Sequence, residues 1–232
     1  MINLHPLLPK KLVKKVYVQF IYPFIKKHLL KDRSIEFKGF KLIVLSGIFH
    51  PSFFFSTKYL FSFIELQSLE NKNCLEIGSG TGVLSLLMLR KKARVTAIDI
   101  NPLAIRNSQL NYNLNKSQFD SQLNIIQSDL FDQVAIEEFD FIIINPPYFF
   151  AEAQNENEHA WYCGKNGEYF IKLFSQLKKY TNINTNIFMI LSETSDTVRI
   201  QKIAQEYHWK FLKIQEKRIW WEDNYIFKIS RS

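Results

Sequence analysis

Cysteine is scarce in this chain: Cys74 and Cys163 are the only two in 232 residues. They stand far apart and without metal-ligand spacing, which argues against a disulfide framework or a zinc site and for a reducing compartment, the cytoplasm. Long apolar runs are also missing. The stretch from Val16 to Ile25 is too short to span a bilayer and is interrupted by Gln19 and Pro23. No small-residue cleavage site follows it, so the expectation is a chain with neither signal peptide nor membrane span. Internal repeats and low-complexity segments are absent, and His50 has no evident partner for acid–base work. The 47% hydrophobic content suffices to bury one substantial core, with room for a small extension.

Acid is nearly missing from the start of the chain. Residues 1–41 hold ten Lys or Arg against Asp32 and Glu36, a net +8, while the remainder holds twenty of each sign. Lys10, Lys11, Lys14 and Lys15 alternate with Leu12, Val13, Val16, Tyr17, Phe20, Ile21, Phe24 and Ile25 at a helical period. Such a helix can face RNA or an acidic membrane surface, or simply cap the core with its lysines in solvent. Glu36 to Leu45 suits a short hairpin with Gly39 near its turn. Residues 1–47 thus read as a basic arm with a hairpin, and residues 48–232 as the main domain. Phe49, Phe53, Phe54 and Phe55 precede an apolar helix reaching about Leu69; these rings suit a pocket lining or a core seal.

Three of the seven glycines fall at positions 78, 80 and 82. A short strand from Cys74 runs into them, and Val83 to Leu89 follows as a buried helix. Glycine lets the backbone turn sharply there and approach a ligand closely. A dinucleotide fingerprint needs glycine at position 83, where Val83 stands, which argues against NAD. Ala93 to Ile100 reads as the next strand. Its Asp99 lies 21 residues beyond Gly78, a spacing at which a carboxylate accepts the hydroxyls of an adenosine ribose. A helix from Asn101-Pro102 to about Leu114 leads to a third strand, Leu123 to Asp129. Ser128 and Asp129 are placed to touch an adenine edge, or Asp129 to cap the next turn.

Phe139 to Asn145 is the fourth strand, and it ends in Asn145-Pro146-Pro147-Tyr148. Prolines cannot donate to a ladder, so the strand stops and presents the Asn145 amide, the Pro146 carbonyl and the Tyr148 ring at its carboxyl edge. Two acceptors and a ring suit a planar –NH2 group. Ala151 to His159 is a polar loop carrying Glu152, Glu156 and Glu158. Gly167 to Tyr180 and Asp196 to Tyr207 read as helices, with Ile187 to Ser192 a strand between them. Lys210 to Trp220 and Asn224 to Ser230 read as paired strands joined by Glu222-Asp223. Trp220-Trp221 suit contact with a base or peptide, or a division between core and rim. The alternation of strands and helices gives an α/β class with a mainly parallel sheet.

Glu76-Ile77-Gly78-Ser79-Gly80-Thr81-Gly82, Asp99, Ser128-Asp129 and Asn145-Pro146-Pro147-Tyr148 together resemble a class I S-adenosylmethionine-dependent methyltransferase. The likeness extends over about residues 48–230, in the variant that methylates planar nitrogens. Trp161 with Gly164-Lys165-Asn166-Gly167 is similar to the corresponding segment of HemK-type methyltransferases, which modify release-factor glutamine. The resemblance implies a Rossmann-like, seven-stranded, mainly parallel sheet with an antiparallel terminal hairpin. It implies S-adenosylmethionine as cofactor, S-adenosylhomocysteine as product, and no metal. Glu76, Gly78, Ser79, Gly80, Thr81 and Gly82 would line its methionine and ribose side, with Asp99 and Ile100 at the ribose and Ser128 and Asp129 at the adenine. Asn145, Pro146, Pro147 and Tyr148 would orient the acceptor nitrogen, Asn145 also facing the cofactor. The implied acceptor is a protein glutamine. An exocyclic amine of adenine or guanine in RNA or DNA is the alternative, since the motif is shared with such enzymes. Phe53-Phe54-Phe55 replace acids usual in HemK-like proteins, and the arm is shorter and more basic than their helical substrate domain. A third reading is an inactive cofactor-binding module tethered by the basic arm, against which the intact Asn145–Tyr148 quartet speaks.

Overall fold

The computed structural model describes residues 30–53, 55–154, 156–219 and 222–232. The basic helix expected over residues 10–25, Phe54 and the Trp220-Trp221 pair lie outside the described residues. The described chain opens with the hairpin β1 (Arg33–Phe37) and β2 (Phe40–Val44), turned by Lys38 and Gly39 at φ 54° and 84°. Positive φ at both central residues matches the right-handed twist of the flanking strands.

The chain then runs α1 (Phe55–Glu65), β3 (Asn73–Ile77), α2 (Val83–Arg90), β4 (Arg94–Asp99), α3 (Pro102–Asn115) and β5 (Leu123–Gln127). It continues through β6 (Phe141–Ile144), α4 (Glu168–Leu177), β7 (Asn186–Ser192), α5 (Thr197–Glu206), β8 (Trp209–Ile219) and β9 (Glu222–Arg231). Asn101 caps α3, its side chain accepting from the Leu103 amide at 2.9 Å, and Asp196 caps α5 by accepting from Arg199 at 3.1 Å.

Seven strands form the main sheet in the order β5-β4-β3-β6-β7-β9-β8. β3 lies inside it, with β4 and β5 added on one side and β6 and β7 on the other, all parallel. The direction of winding therefore reverses between β3 and β6, and the carboxyl ends of these two strands frame a crevice. β9 inserts antiparallel beside β7, with β8 outside it. This is the seven-stranded, mainly parallel sheet with a terminal antiparallel hairpin.

Both faces of the sheet's centre are covered, so β3, β6 and β7 are buried almost throughout rather than on alternate residues. Phe141 and Ile143 face the layer of α1 and α2, together with Phe37, Phe40 and Leu42 of the hairpin. Ile142 and Ile144 face the layer of α4 and α5. Adjacent residues on β6 thus feed opposite cores.

Two expected boundaries shift. The helix anticipated to about Leu69 stops at Glu65. In a longer helix Leu69 would stand above the exposed Glu65 and Leu66, whereas leaving the helix lets it turn into the core. Glu222 and Asp223 are not the connection between the last two strands but the start of β9. Asp223 is buried and accepts from Arg218, its cross-strand partner, at 2.6 and 3.0 Å. That charge-assisted pair holds the hairpin's end in register.

Ile143 and Leu173 are fully buried on opposite faces of the sheet. Truncating either to alanine should cost ~2–5 kcal/mol of unfolding free energy, measured by urea denaturation. Losses well under 1 kcal/mol would contradict the two-layer packing.

Candidate active site

The carboxyl end of β3 leads into the glycine turn, which is flanked by two acids, Glu76 buried and Asp99 half-buried. Gly78 and Ser79 donate their amides to the Ile98 carbonyl of β4 at 2.9 and 3.0 Å. Gly80 donates to Asp99 Oδ2 at 2.9 Å, and Asn101 donates to Asp99 Oδ1 at 3.0 Å. Ser85, in the first turn of α2, gives its amide to Glu76 Oε2 at 2.8 Å and its hydroxyl to the same oxygen. Gly82 stands at φ 75°, and a Cβ there would lie 3.0 Å from Ser108 Oγ of α3. Only glycine lets the turn sit that close to the helix.

Burial pushes Glu76 up to about 8, against the pull of its Ser85 hydrogen bonds and with a smaller push from Asp99. Burial likewise raises Asp99, opposed by the amides of Gly80, Asn101 and Ile100. A cationic or hydroxyl-bearing ligand would satisfy both groups.

β5 ends at Gln127, and the next residue, Ser128, donates its amide to the Asp99 carbonyl at 2.9 Å. The cap of the following turn falls to Ser128 rather than Asp129: Ser128 Oγ accepts from the Gln133 amide at 3.0 Å. Asp129 instead pairs with Lys172 of α4 at 2.5 Å, and Lys172 reaches Asp132 at 2.6 Å as well. Tyr169, one turn earlier on α4, is half-buried and faces Asp99 and Asp129, whose charges add to burial in raising its hydroxyl.

Across the crevice, β6 delivers the Asn145–Tyr148 quartet. Asn145 donates an amide hydrogen to Ser56 Oγ at 3.4 Å, which leaves its Oδ1 to accept from a ligand. The Gly78 Cβ position lies 3.6 Å from the Asn145 carbonyl oxygen, so the two motifs are in contact. Burial and the charge of Glu222 raise the Tyr148 hydroxyl, against the pull of Ser192 and Thr194. Phe149 forms a parallel bridge with Tyr162: Phe149 donates to the Trp161 carbonyl at 3.0 Å and Cys163 to the Phe149 carbonyl at 2.9 Å. That pairing sets the Trp161 ring against Phe49, with centroids 4.4 Å apart.

The glycine turn, both acids and the Asn145–Tyr148 quartet border one cavity of about 1060 Å³. Glu76, Gly78, Ser79, Gly80, Thr81, Asp99, Ile100, Ser128, Asp129 and Asn145–Tyr148 all line it; Gly82 alone of the expected site residues supports the turn from behind. Ile100 is 41% exposed for so apolar a side chain, a platform for a ligand's flat or sugar surface. Ser56, Tyr169, Lys172, Thr194 and Glu222 line it too. They come from elements remote in sequence, and no local pattern marks them. Among the described residues, no group of three or more His, Cys, Asp or Glu side chains is placed to hold a metal. The donor set fits S-adenosylmethionine: a carboxylate for a ribose diol, a second acid for an ammonium, and an apolar platform for adenine.

A doubly covered sheet with this site at its switch point defines a class I methyltransferase fold. The chain belongs to the methyltransferase small-domain family, whose model matches residues 40–207, a family dependent on S-adenosylmethionine. A putative protein N5-glutamine methyltransferase of Methanocaldococcus jannaschii is 34% identical over 115 residues, 49% of this chain and 54% of that one. A tRNA1(Val) (adenine(37)-N6)-methyltransferase of Haemophilus influenzae is 36% identical over 83 residues, 34% of this chain and 35% of that one. The chain thus spans about half or less of the length of these relatives. In fold it resembles the T. thermophilus 16S rRNA N2 G1207 methyltransferase bound to AdoMet and guanosine. Their TM-score is 0.56 at 15% identity, over 85% of this chain and 50% of that one.

The raised Glu76 gives a test of this geometry. In the folded state it keeps a proton up to about pH 8, whereas an ordinary glutamate loses it near 4.5. Its stabilising contribution is therefore complete below 4.5 and lost as pH rises to about 8. Across that window the unfolding free energy should fall by up to about 1.4 kcal/mol per pH unit, and Glu76→Gln should flatten the slope. Urea denaturation at stepped pH measures it; an equal slope in the variant would contradict the assignment.

Proposed function

We propose that this chain transfers the methyl group of S-adenosylmethionine to a planar nitrogen, with a protein glutamine side chain as acceptor. The observation that carries this reading is the contact of the Asn145–Tyr148 turn with the glycine turn across one cavity. When bound, the cofactor supplies an electrophilic methyl group on a sulfonium.

The chain's own task is alignment. Asp99 accepts the ribose hydroxyls while its other lone pairs stay on Gly80 and Asn101. Glu76 faces the methionine ammonium. An amide nitrogen is a poor nucleophile because its lone pair is delocalised. Asn145 Oδ1 and the Pro146 carbonyl accept its two hydrogens and turn the lone pair toward the methyl group. Positive charge grows on that nitrogen during transfer, so these two acceptors bind the transition state better than the ground state. Tyr148, half-buried at the cavity wall, offers its ring as a wall for the acceptor plane. The methylated nitrogen then releases its proton to solvent without a dedicated base.

Likeness to a glutamine methyltransferase supports the amide acceptor. A second reading, an exocyclic amine of adenine or guanine in RNA or DNA, is favoured by the Phe49–Trp161 ring pair beside the cavity. The net +8 of residues 1–41 would then contact RNA, or an acidic surface. No helix among the described residues is long and apolar enough to cross a membrane. Two free, buried cysteines support a cytoplasmic setting.

Asn145→Ala should lower turnover about 10²–10³-fold while cofactor affinity holds, and Asp99→Ala should lose mainly cofactor affinity. Equal loss of cofactor binding in both variants would overturn the division of roles. Radiolabelled S-adenosylmethionine with undermethylated extract assigns the acceptor: label removed by protease supports glutamine, and label removed by nuclease transfers the assignment to a base. Cofactor binding without any labelling would favour the inactive module.

A further inference from the structure

The α3 helix buries three asparagines, Asn107, Asn111 and Asn115, each 0% exposed. Uncharged amides at successive turns of a helix would ordinarily face water, yet here they face the outer edge of β2. Asn115 accepts from the Lys41 amide at 3.1 Å and donates to the Lys41 carbonyl at 2.7 Å. Asn111 does the same at Ile43, at 2.7 and 2.9 Å. Asn107 accepts from Leu45 at 3.0 Å and donates to Ile43 at 2.7 Å. Each carboxamide offers one acceptor and a donor pair, the same groups as a peptide unit.

The spacing makes the match possible. Four helical residues rise ~6 Å, and two strand residues rise ~6.7 Å. A ladder of every fourth helix residue therefore keeps step with every second strand residue. The three asparagines stand where a third strand would otherwise pair with the hairpin.

Asn111 alone of the three also reaches the cofactor turn: its Nδ2 donates to the Thr81 carbonyl at 2.9 Å. Ser108, on the same face of α3 and fully buried, donates to the Gly80 carbonyl at 3.1 Å and lies 3.2 Å from Ser79 Oγ. We infer that Asn111 is a positioning residue that ties the N-terminal hairpin to the glycine turn, making β2 part of the machinery that sets cofactor affinity. The inference rests on the cofactor reading given above. One amide group fixes the Ile43 carbonyl and the Thr81 carbonyl together, so displacement of β2 is felt at the turn. Neither Asn107 nor Asn115 has that second contact, and they serve as internal controls.

The test compares Asn111→Ala, Asn115→Ala and Ser108→Ala in the full chain, by calorimetric titration with S-adenosylhomocysteine. Asn111→Ala should raise the dissociation constant roughly tenfold, and Ser108→Ala, a milder truncation that guards against misfolding, by several-fold. Asn115→Ala, which removes an equivalent pair of bonds to β2, should change it by about twofold or less. Hydrogen exchange over residues 79–84 should quicken in Asn111→Ala and Ser108→Ala but not in Asn115→Ala. If all three variants lose stability alike while affinity and exchange at the turn do not separate them, the asparagines only dock the hairpin and the inference is wrong. If the wild-type chain fails to bind S-adenosylhomocysteine, the cofactor reading falls, and exchange at residues 79–84 still decides the coupling.

Discussion

Two acids, the buried Glu76 and the half-buried Asp99, organise the centre of this protein. The glycine turn after β3 carries amides that must find acceptors once the chain is folded: the Ile98 carbonyl takes those of Gly78 and Ser79, and Asp99 takes that of Gly80. An unpaired buried amide is costly, and these acceptors offset that penalty. Ser85 ties the start of α2 to Glu76, and Gly80 ties the middle of the turn to Asp99. Displacing the turn breaks the bond from Gly80 to Asp99. Its shape is thereby held before any ligand arrives, which reduces the ordering cost of binding.

The rest of the architecture serves that arrangement. Winding outward in both directions from β3 places β4 on one side and β6 on the other. Asp99 and Asn145, 46 positions apart, therefore end on neighbouring strand tips on either side of the glycine turn. The prolines after Asn145 stop β6 at the depth where the turn passes, so the Asn145 backbone meets Gly78. Helix α3 backs the turn through Ser108 and Asn111, and the hairpin backs α3 through the asparagine ladder. Two successive layers of hydrogen bonds thus stand behind one loop.

The strands and the glycine turn could be read from the sequence because their signals are local. Ile142–Ile144 before two prolines, or three glycines within five residues, need no partner to be recognised. Asp99 was legible through its fixed spacing from the turn. Other features were hidden because their meaning depends on contacts remote in the chain. Asn145 and Ser56 are 89 residues apart, and Lys172 and Asp129 are 43 apart. Asn107, Asn111 and Asn115 repeat at a helical spacing, but a polar row on a helix ordinarily signals solvent. Only the hairpin beside it reveals a buried edge. Glu222 and Asp223 looked like turn residues by type, and Arg218 opposite them made strand pairing the lower-energy choice.

The most direct measurement of the central claim is a crystal structure of the chain with S-adenosylhomocysteine. The account predicts the ribose hydroxyls within hydrogen-bond distance of the Asp99 carboxylate, the amino group at Glu76 and the thioether sulfur facing Asn145. A ligand seated elsewhere, or one in this cavity with its sulfur turned away from Asn145, would contradict it.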